Sequence, residues 1–322
     1  MNISVKPYSW SDKIAWDRFV MKSNNGTLFH RLQFLDYHPR SRFRNHHLVF
    51  KDTEHIIALF PSVSEERDGK KTLVSHPGAS FGGFVFPINL GINEVDVLVR
   101  SLHAYALKKG FHRIEMTLPP IIYLQQPNNY LDFCLFRHGF QYKKREVSSI
   151  ITLNYAPQRI LSTFKSETRT AIRKAGRSGV VVKASSDFET FYSILKTNLK
   201  LRHNVTPTHT LGELKQLKNL LASDIRLFGA FLNNQMIAGL TLFVCNPRVI
   251  LAFYISHLKE YQTYRPVNLL MFEVIKWALE RKFKFFDLGI FTVNMEPNWG
   301  LGRFKENFGA HGIFRDTLYL DF

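Results

Sequence analysis

Two stretches of the chain share one order of predicted elements, and this repetition restricts the fold more than any single motif. In each half, strand patterns are followed by an amphipathic helix and then by one more strand. The first half has the strands Ile3–Lys6, Leu48–Phe50 and Ile56–Ser62, the helix Val95–Lys108, and the strand Arg113–Leu118. The second half has the strands Ile225–Phe231, Met236–Val244 and Val249–Ile255, the helix Leu269–Arg281, and the strand Phe283–Leu288. We therefore predict a duplicated α/β chain with a boundary near Asn154.

Length and composition agree with two ordered domains. The chain has 322 residues, of which 45% are hydrophobic, and this is enough for two cores of ordinary size. Met1–Trp10 lacks the apolar core of a signal peptide, and no run reaches the roughly 18 apolar residues of a membrane span. Cys134 and Cys245 lie among apolar neighbours without CxxC spacing. We expect two buried free thiols and a cytoplasmic location.

The excess of positive charge restricts the class of partner. The chain has 43 Lys and Arg residues against 26 Asp and Glu residues, a formal net charge of +17. A field of that sign attracts phosphate-bearing substrates, nucleic acid such as tRNA, or the anionic head groups of the inner membrane. We expect a phosphate-bearing donor or acceptor. Peripheral membrane contact stays open, as does a protein that is simply basic.

Basic side chains recur along a predicted helix near the middle of the chain, within Phe164–Val182. Lys165, Arg169, Arg173 and Arg177 stand every four residues, roughly 6 Å apart along the helix axis. They run beside an apolar stripe that consists of Ile160, Phe164, Ala171, Ile172 and Ala175. Like charges at this spacing repel one another, so we expect a bound anion, with phosphate as the first candidate. A solvated helix face is the alternative.

Several segments together resemble those of one group of proteins. R-x-x-I-R-K-A (Arg169–Ala175), F-D-L-G (Phe286–Gly289) and F-K-E-N-F-G-A (Phe304–Ala310) are similar to segments of FemAB-type proteins. G-T-L-F-H (Gly26–His30) and H-P-G-A-S-F-G-G (His76–Gly83) resemble BioF2-like acyltransferases of the GNAT (Gcn5-related N-acetyltransferase) superfamily. The likeness spans nearly the whole chain.

This resemblance implies tandem GNAT-like domains, residues 1–154 and 155–322, each a mixed, mostly antiparallel sheet flanked by helices. It also implies transfer of an acyl group, commonly an amino acid from aminoacyl-tRNA, to an amine on a cell-wall precursor. FemAB aminoacyltransferases often carry a long helical hairpin, whereas here only the stretch 184–224 separates two strands, enough for two short helices. The chain has no cell-wall-specific feature, so the acceptor stays open.

The donor site of ordinary GNAT enzymes has no direct match. Those enzymes hold the coenzyme A pyrophosphate on a Gly-rich turn at a helix N-terminus. The corresponding stretch here, Ser256–Asn268, contains no glycine, although Pro266 is suited to begin a helix and Arg265 to meet a phosphate. We expect no tightly bound cofactor and an acyl donor as co-substrate, either aminoacyl-tRNA or acyl-CoA.

Amide formation requires a stabilised oxyanion and a proton for the leaving group. The resemblance places Lys305 near the substrate, next to Phe304, and its charge suits an oxyanion. Tyr254 has a hydroxyl that can donate a proton or bind substrate, or else it is a core residue. Asp287 either orients the incoming amine or caps a turn.

The remaining binding candidates lie in loops. Ser80 and Gly82 belong to a Gly-rich loop that either brings backbone close to a ligand or forms a plain turn. His203 precedes a capping box formed by Thr210 and Glu213, in a segment that resembles a substrate-facing loop of BioF2-like proteins. No pair of histidines has a metal-binding helix spacing, and we expect no metal.

Three functions are consistent with these patterns. The first is an N-acyl or aminoacyl transferase that acts on an amine, for instance of a cell-envelope precursor. Its active site would lie in the second half, and the first half would contribute one wall of the acceptor cleft. The second is an acyl-CoA-dependent N-acetyltransferase that acts on a sugar or polysaccharide precursor. The third is a non-catalytic basic protein that binds nucleic acid or anionic membrane.

Overall fold

In the computed structural model, which describes residues 3–39, 41–203 and 206–322, each half of the chain contains a strand–helix–strand crossover. The chain divides into a first unit, residues 1–146 and 314–322, and a second unit, residues 147–313. The sequence placed the boundary near Asn154 and the C-terminus in the second domain. The final residues belong to the first unit because Thr317–Asp321 pairs with Arg113–Thr117.

The elements follow in chain order. Up to the second unit they are β1 (Ile3–Pro7), α1 (Lys13–Lys22), α2 (Leu32–Leu35), β2 (Leu48–Asp52), β3 (His55–Phe60), β4 (Ser62–Arg67), β5 (Lys70–Ser75), α3 (Ile92–Lys108), β6 (Arg113–Thr117), α4 (Tyr130–Arg137) and β7 (Gln141–Thr152). The others are α5 (Ile160–Thr163), α6 (Ser166–Arg177), β8 (Val181–Ser185), α7 (Phe188–His203), α8 (Leu211–Leu220), β9 (Ile225–Leu232), β10 (Gln235–Val244), β11 (Val249–His257), α9 (Pro266–Glu280), β12 (Phe285–Ile290), β13 (Thr292–Val293), β14 (Glu296–Pro297), α10 (Trp299–Glu306) and β15 (His311–Asp321).

Each unit combines antiparallel pairs with one parallel crossover. In the first unit β1, β2 and β3 form an antiparallel sheet, and β4, β5, β6 and the end of β15 lie side by side, with β5 parallel to β6. In the second unit the order is β7-β12-β11-β10-β9-β8, with β11 parallel to β12. A parallel pair needs a crossover connection, which α3 and α9 supply. The predicted fold class, mixed and mostly antiparallel sheets flanked by helices, is confirmed.

Each unit also has an apolar core built on its crossover helix. In the second unit Leu270, Val274 and Ala278 follow one another at four-residue spacing along α9 and are fully buried with Phe286 of β12. In the first unit α3 buries its own apolar stripe in the same way, with Leu98, Val99, Leu102 and Ala106. The apolar residues at helical spacing in the sequence are therefore those with which α3 and α9 pack into the cores of the two units.

Two predicted segments are divided in the structure. The strand expected over Ile56–Ser62 is two strands, β3 and β4, separated by Pro61, which has no N–H for a ladder. The helix expected to carry both Ile160 and the ridge from Lys165 to Arg177 is also divided. Phe164 and Lys165 are extended, α6 ends before Gly179 (φ 81°), and the valine run forms β8.

Other expectations from the sequence hold. The stretch 184–224 contains the two helices α7 and α8, and Thr210 and Glu213 form the predicted capping box of α8. Cys134 and Cys245 are buried free thiols. Among the residues that the structure describes, no helix is both long and apolar enough to cross a membrane.

Candidate active site

Three helices begin around one cavity of the second unit. The cavity has a volume of about 1090 Å³ and is also lined by the end of β11. The helix starts contribute Ser166, Glu167 and Thr168 from α6, Pro266, Val267 and Asn268 from α9, and Asn298, Gly300 and Leu301 from α10. The first N–H groups of a helix have no partner within it and carry partial positive charge. The cavity is therefore suited to an anionic group.

Lys305 is the buried cation of this cavity. Its side chain comes from α10, the residue is 4% exposed, and its Nζ donates hydrogen bonds to the carbonyl oxygens of Gly289 (2.7 Å) and Ile290 (2.8 Å). A buried ammonium is tolerated where such bonds replace its hydration. Lys305 is thus held in place at the end of β12 and is not a surface lysine.

Asp287 makes a second hydrogen bond at the same end of β12. It is buried, and its Oδ1 accepts a hydrogen bond from the N–H of Gly289 at 2.7 Å. Gly289 has a φ of 72°, a left-handed conformation that glycine adopts without strain. Asp287 is not among the residues that line the cavity. The hydrogen bond to Gly289 agrees with the second role considered for Asp287, capping of a turn. The first role, orienting the incoming amine, stays a prediction.

Arg265 precedes α9 in a strained backbone conformation. Its φ and ψ are 56° and 38°, a left-handed region that costs a non-glycine residue about 1–2 kcal/mol. Pro266 occupies the first turn of α9, as predicted, and both residues line the cavity. Backbone strain of this kind concentrates at functional sites. The exposed guanidinium of Arg265 is available to an anion in the cavity.

The predicted basic ridge is not continuous. Lys165 caps α6 from an extended conformation, and its N–H donates to the carbonyl oxygen of Asn307 at 3.0 Å. Arg169 is half-buried, and its Nη1 donates to the carbonyl oxygen of Phe164 at 3.0 Å. The helix begins only at Ser166, so Lys165 lies before it, and Arg169 is hydrogen-bonded to the backbone at its start. Neither residue continues the row of exposed cations on α6.

The outer cations of α6 remain exposed. Arg173 and Arg177 line a depression of about 460 Å³ together with Thr170, Lys174 and Ser178. Thr170 and Lys174 also line the cavity. The depression therefore opens directly beside the cavity, and the phosphate-binding hypothesis applies to this part of α6.

Phe304 and Tyr254 have different positions. Phe304 is half-buried, lines the cavity, and packs edge-on against Phe308 with a centroid distance of 5.2 Å. Tyr254 does not line the cavity. Its hydroxyl lies 2.8 Å from Nδ1 of His209 and accepts a hydrogen bond from that residue's N–H, and burial raises the pKa of the phenol. Its catalytic role stays a prediction that the cavity does not support.

The loop candidates lie outside this cavity or outside the described side chains. Gly82, in the first unit, donates its N–H to the carbonyl oxygen of Thr117 at 2.7 Å, and a Cβ there would lie 3.1 Å from Cβ of Ser75. Ser80 is half-buried in the same turn. This glycine serves close packing between strands. The side chain of His203, at the end of α7, lies outside the part that the structure describes.

Several cavity residues were not anticipated from the sequence. His257 ends β11 two positions after Ile255, so strand alternation turns both towards the cavity. Asn198 of α7 lines the cavity and donates from Nδ2 to Oγ of Ser256 at 3.0 Å. Asn298 accepts a hydrogen bond from the N–H of Leu301 at 3.0 Å and is the N-cap of α10. Asparagine before a helical stretch is a cap signal that was available in the sequence.

The comparison with known protein families matches the part of the chain that contains the cavity. Residues 162–306 match the family model of the acetyltransferase (GNAT) domain, and this range contains nearly all the cavity residues. The structure is similar to that of FemX, with a TM-score of 0.76 and 12% identity over 99% of this chain and 97% of that chain. It is also similar to a tandem GNAT protein from the clavulanic acid biosynthesis pathway (TM-score 0.56, 11% identity, 99% and 98% covered) and to L-PGS from Bacillus licheniformis (0.55, 13%, 82% and 81%). At these identities the likeness concerns the fold. No curated protein sequence matches the chain.

Proposed function

We propose that this chain, which matches the acetyltransferase (GNAT) domain model over residues 162–306 of its second unit, transfers an acyl or aminoacyl group from a phosphate-bearing donor to an amine. The observation that carries the proposal is the cavity in which three helix N-termini surround the buried charge of Lys305. The acceptor class that we propose is an amine of a cell-envelope precursor.

The reaction accounts for the charge at this position. The amine nitrogen attacks the carbonyl carbon, and negative charge develops on the carbonyl oxygen. The carbonyl then re-forms as the ester or thioester bond breaks and the leaving group departs. The ammonium of Lys305 is already fixed by Gly289 and Ile290, so it can offset that charge without reorganisation. The attacking amine also loses a proton, and the leaving group gains one. His257 and Glu167 line the cavity and have the chemistry to accept a proton.

The donor that the geometry favours is polymeric, as in aminoacyl-tRNA. The depression at Arg173 and Arg177 shares Thr170 and Lys174 with the cavity. A polyanion with its reactive end in the cavity would extend its next phosphates over these cations. The start of α9 has no glycine for a standard pyrophosphate cradle, and the similarity to FemX agrees with an aminoacyl donor.

An acyl-CoA-dependent N-acetyltransferase acting on a sugar or polysaccharide precursor is the second candidate. It is favoured by the match to the acetyltransferase family model and by the tandem GNAT structure among the similar proteins. The start of α9 at the cavity, with Arg265 beside it, would then receive the coenzyme A phosphates by a different contact from the usual glycine turn.

Binding and turnover distinguish the candidates. The probes are an aminoacylated RNA minihelix and acetyl-CoA, each with a soluble amine, and binding is measured by fluorescence anisotropy at several salt concentrations. Binding should weaken as salt rises, and in the Arg173→Ala/Arg177→Ala variant we expect the plot of log binding constant against log salt concentration to be less steep by about one to two units. The Lys196→Ala/Lys200→Ala variant is the matched control, because it also removes two exposed positive charges, on α7 and outside the cavity, and it should leave the slope unchanged.

Each result selects one function. Amide formation with the minihelix supports the proposal, and amide formation with acetyl-CoA alone selects the N-acetyltransferase. If RNA binds with strong salt dependence and neither donor reacts with any amine, the non-catalytic basic protein remains.

A further inference from the structure

Large apolar side chains stand exposed in the short segment that runs from the end of β12 into α10, part of which lines the cavity. Val293 of β13, Met295 of the following turn and Trp299 of α10 are 68%, 57% and 77% exposed. Leu301, which lines the cavity, is 38% exposed and lies two positions after Trp299 in α10. We call Val293, Met295, Trp299 and Leu301 the apolar rim. These four residues fall within nine positions of the chain, and a local group of exposed apolar residues marks an interaction site more often than a single one does.

The backbone holds the rim in position. Asn294 and Met295 form a tight turn with φ values of 51° and 67°, and Val293 pairs with Glu296 across it. The N–H of Asn298 donates to the carbonyl oxygen of Phe291 at 2.8 Å, which fixes the hairpin to the start of α10. The rim side chains are therefore presented to solvent by a hydrogen-bonded hairpin and a capped helix.

We propose that the apolar rim docks on the surface of an anionic lipid membrane. An indole at the boundary between water and lipid buries its ring and keeps its N–H in a polar layer. The charge of the chain complements such a surface, since its formal net charge is +17. An exposed cation stands beside Trp299, because Arg303 follows it by four residues in α10 and so lies on the same side of the helix.

Apolar insertion and charge attraction act together in this arrangement, as they do in proteins that bind reversibly to membranes. The proposal goes beyond acyl transfer, and it can be measured without turnover. Its consequence for the reaction is that an amine carried by a lipid would approach the cavity from the membrane side of the rim.

The test uses phosphatidylcholine vesicles with and without 30% phosphatidylglycerol (about one lipid in three, enough for a strongly negative surface). Co-sedimentation measures the affinity, and tryptophan emission reports insertion. We expect binding to the anionic vesicles and a blue shift of the emission. Trp299→Ala should bind roughly tenfold more weakly and lose the shift, because burial of a large apolar side chain is removed.

Trp10→Ala is the matched control. Trp10 is 74% exposed in the first unit, so its loss removes a similar indole from another surface. We expect its affinity for vesicles to equal that of the unmodified protein. Equal binding by the Trp299→Ala variant, or weaker binding by the Trp10→Ala variant alone, would overturn the proposal. Thermal unfolding verifies that both variants fold.

Failure of this proposal and failure of the proposed function differ in their results. If only docking is wrong, Trp299→Ala forms amides and binds vesicles as the unmodified protein does. If only the proposed function is wrong, no variant forms amides from any donor, while loss of vesicle binding still follows Trp299→Ala.

Discussion

The Nζ of Lys305 lies 2.7 Å from the carbonyl oxygen of Gly289, so the buried cation of the cavity is hydrogen-bonded to the end of β12. The N–H of the same glycine is held by Asp287. The position of the charge therefore depends on a residue that does not line the cavity, and substitutions at either end of this chain of bonds should affect turnover.

Replacement of Lys305 should affect both stability and rate. In Lys305→Ala, carbonyl oxygens at the end of β12 lose a buried donor, so we expect the free energy of unfolding to fall by about 1–3 kcal/mol. Turnover should fall at least about 100-fold, a typical effect of removing one group that stabilises an oxyanion. Lys305→Gln keeps an N–H donor, so it should recover part of the stability and none of the rate. Urea unfolding and steady-state rates measure both quantities, and normal turnover in Lys305→Gln would show that the charge is not needed.

Arg265 allows strain and function to be separated. Glycine adopts the left-handed conformation freely, so Arg265→Gly should be more stable than Arg265→Ala by about 1 kcal/mol. Both variants lack the guanidinium, and donor affinity should fall equally in both. Thermal unfolding and donor titration provide the two measurements. Unchanged affinity in both variants would exclude Arg265 from the donor site.

Asn298 caps α10 and lines the cavity, and its two roles respond differently to charge. Asn298→Ala should lower the free energy of unfolding by about 1 kcal/mol because the helix cap is lost. Asn298→Asp keeps the cap and adds negative charge, so stability should be retained while affinity for an anionic donor falls. Equal donor affinity for the Asp variant and the unmodified protein would contradict an anionic ligand at this end of the cavity.

The first unit should lose stability as pH falls. Burial lowers the pKa of His30 and of His47 to about 4, and burial together with neighbouring histidines lowers that of His76 to about 2. Because these values lie below the usual pKa of 6.5, the unfolded chain takes up protons first. The stability present above pH 6.5 is lost between pH 6.5 and 4 for His30 and His47, and the loss from His76 continues down to about pH 2. At pH 5 each of the first two histidines should contribute a loss of about 2 kcal/mol.

Denaturant unfolding at pH 7.5 and pH 5 measures this loss. The emission of Trp16 is a suitable signal, because its ring centroid lies 5.7 Å from that of His47. His47→Gln removes one titrating group and should make the unfolding free energy depend less on pH. An unchanged pH dependence in this variant would show that His47 is not the group that titrates.

Elements with strong local signals were predictable from the sequence. The crossover helices α3 and α9 follow from apolar spacing, and the start of α9 follows from Pro266. The hairpin of β4 and β5 was missed although Asp68 and Gly69 (φ 52° and 71°) form a turn of a recognisable type. Phe164 was read correctly as a core residue, but its extended backbone broke the expected helix and removed Lys165 from the ridge.

Local patterns were enough to predict the duplicated order of elements and the two buried thiols, and they singled out Arg265, Phe304 and Lys305, which line the cavity. These depend on periodicity, on turn chemistry and on motifs, which are local. Three other features follow from the tertiary structure. Three helix N-termini meet at one cavity, Lys305 is buried against Gly289, and the hydroxyl of Tyr254 is hydrogen-bonded to His209 and does not line the cavity. Such contacts join residues that are distant along the chain, and their geometry depends on sheet order and helix packing, which no short stretch of sequence specifies.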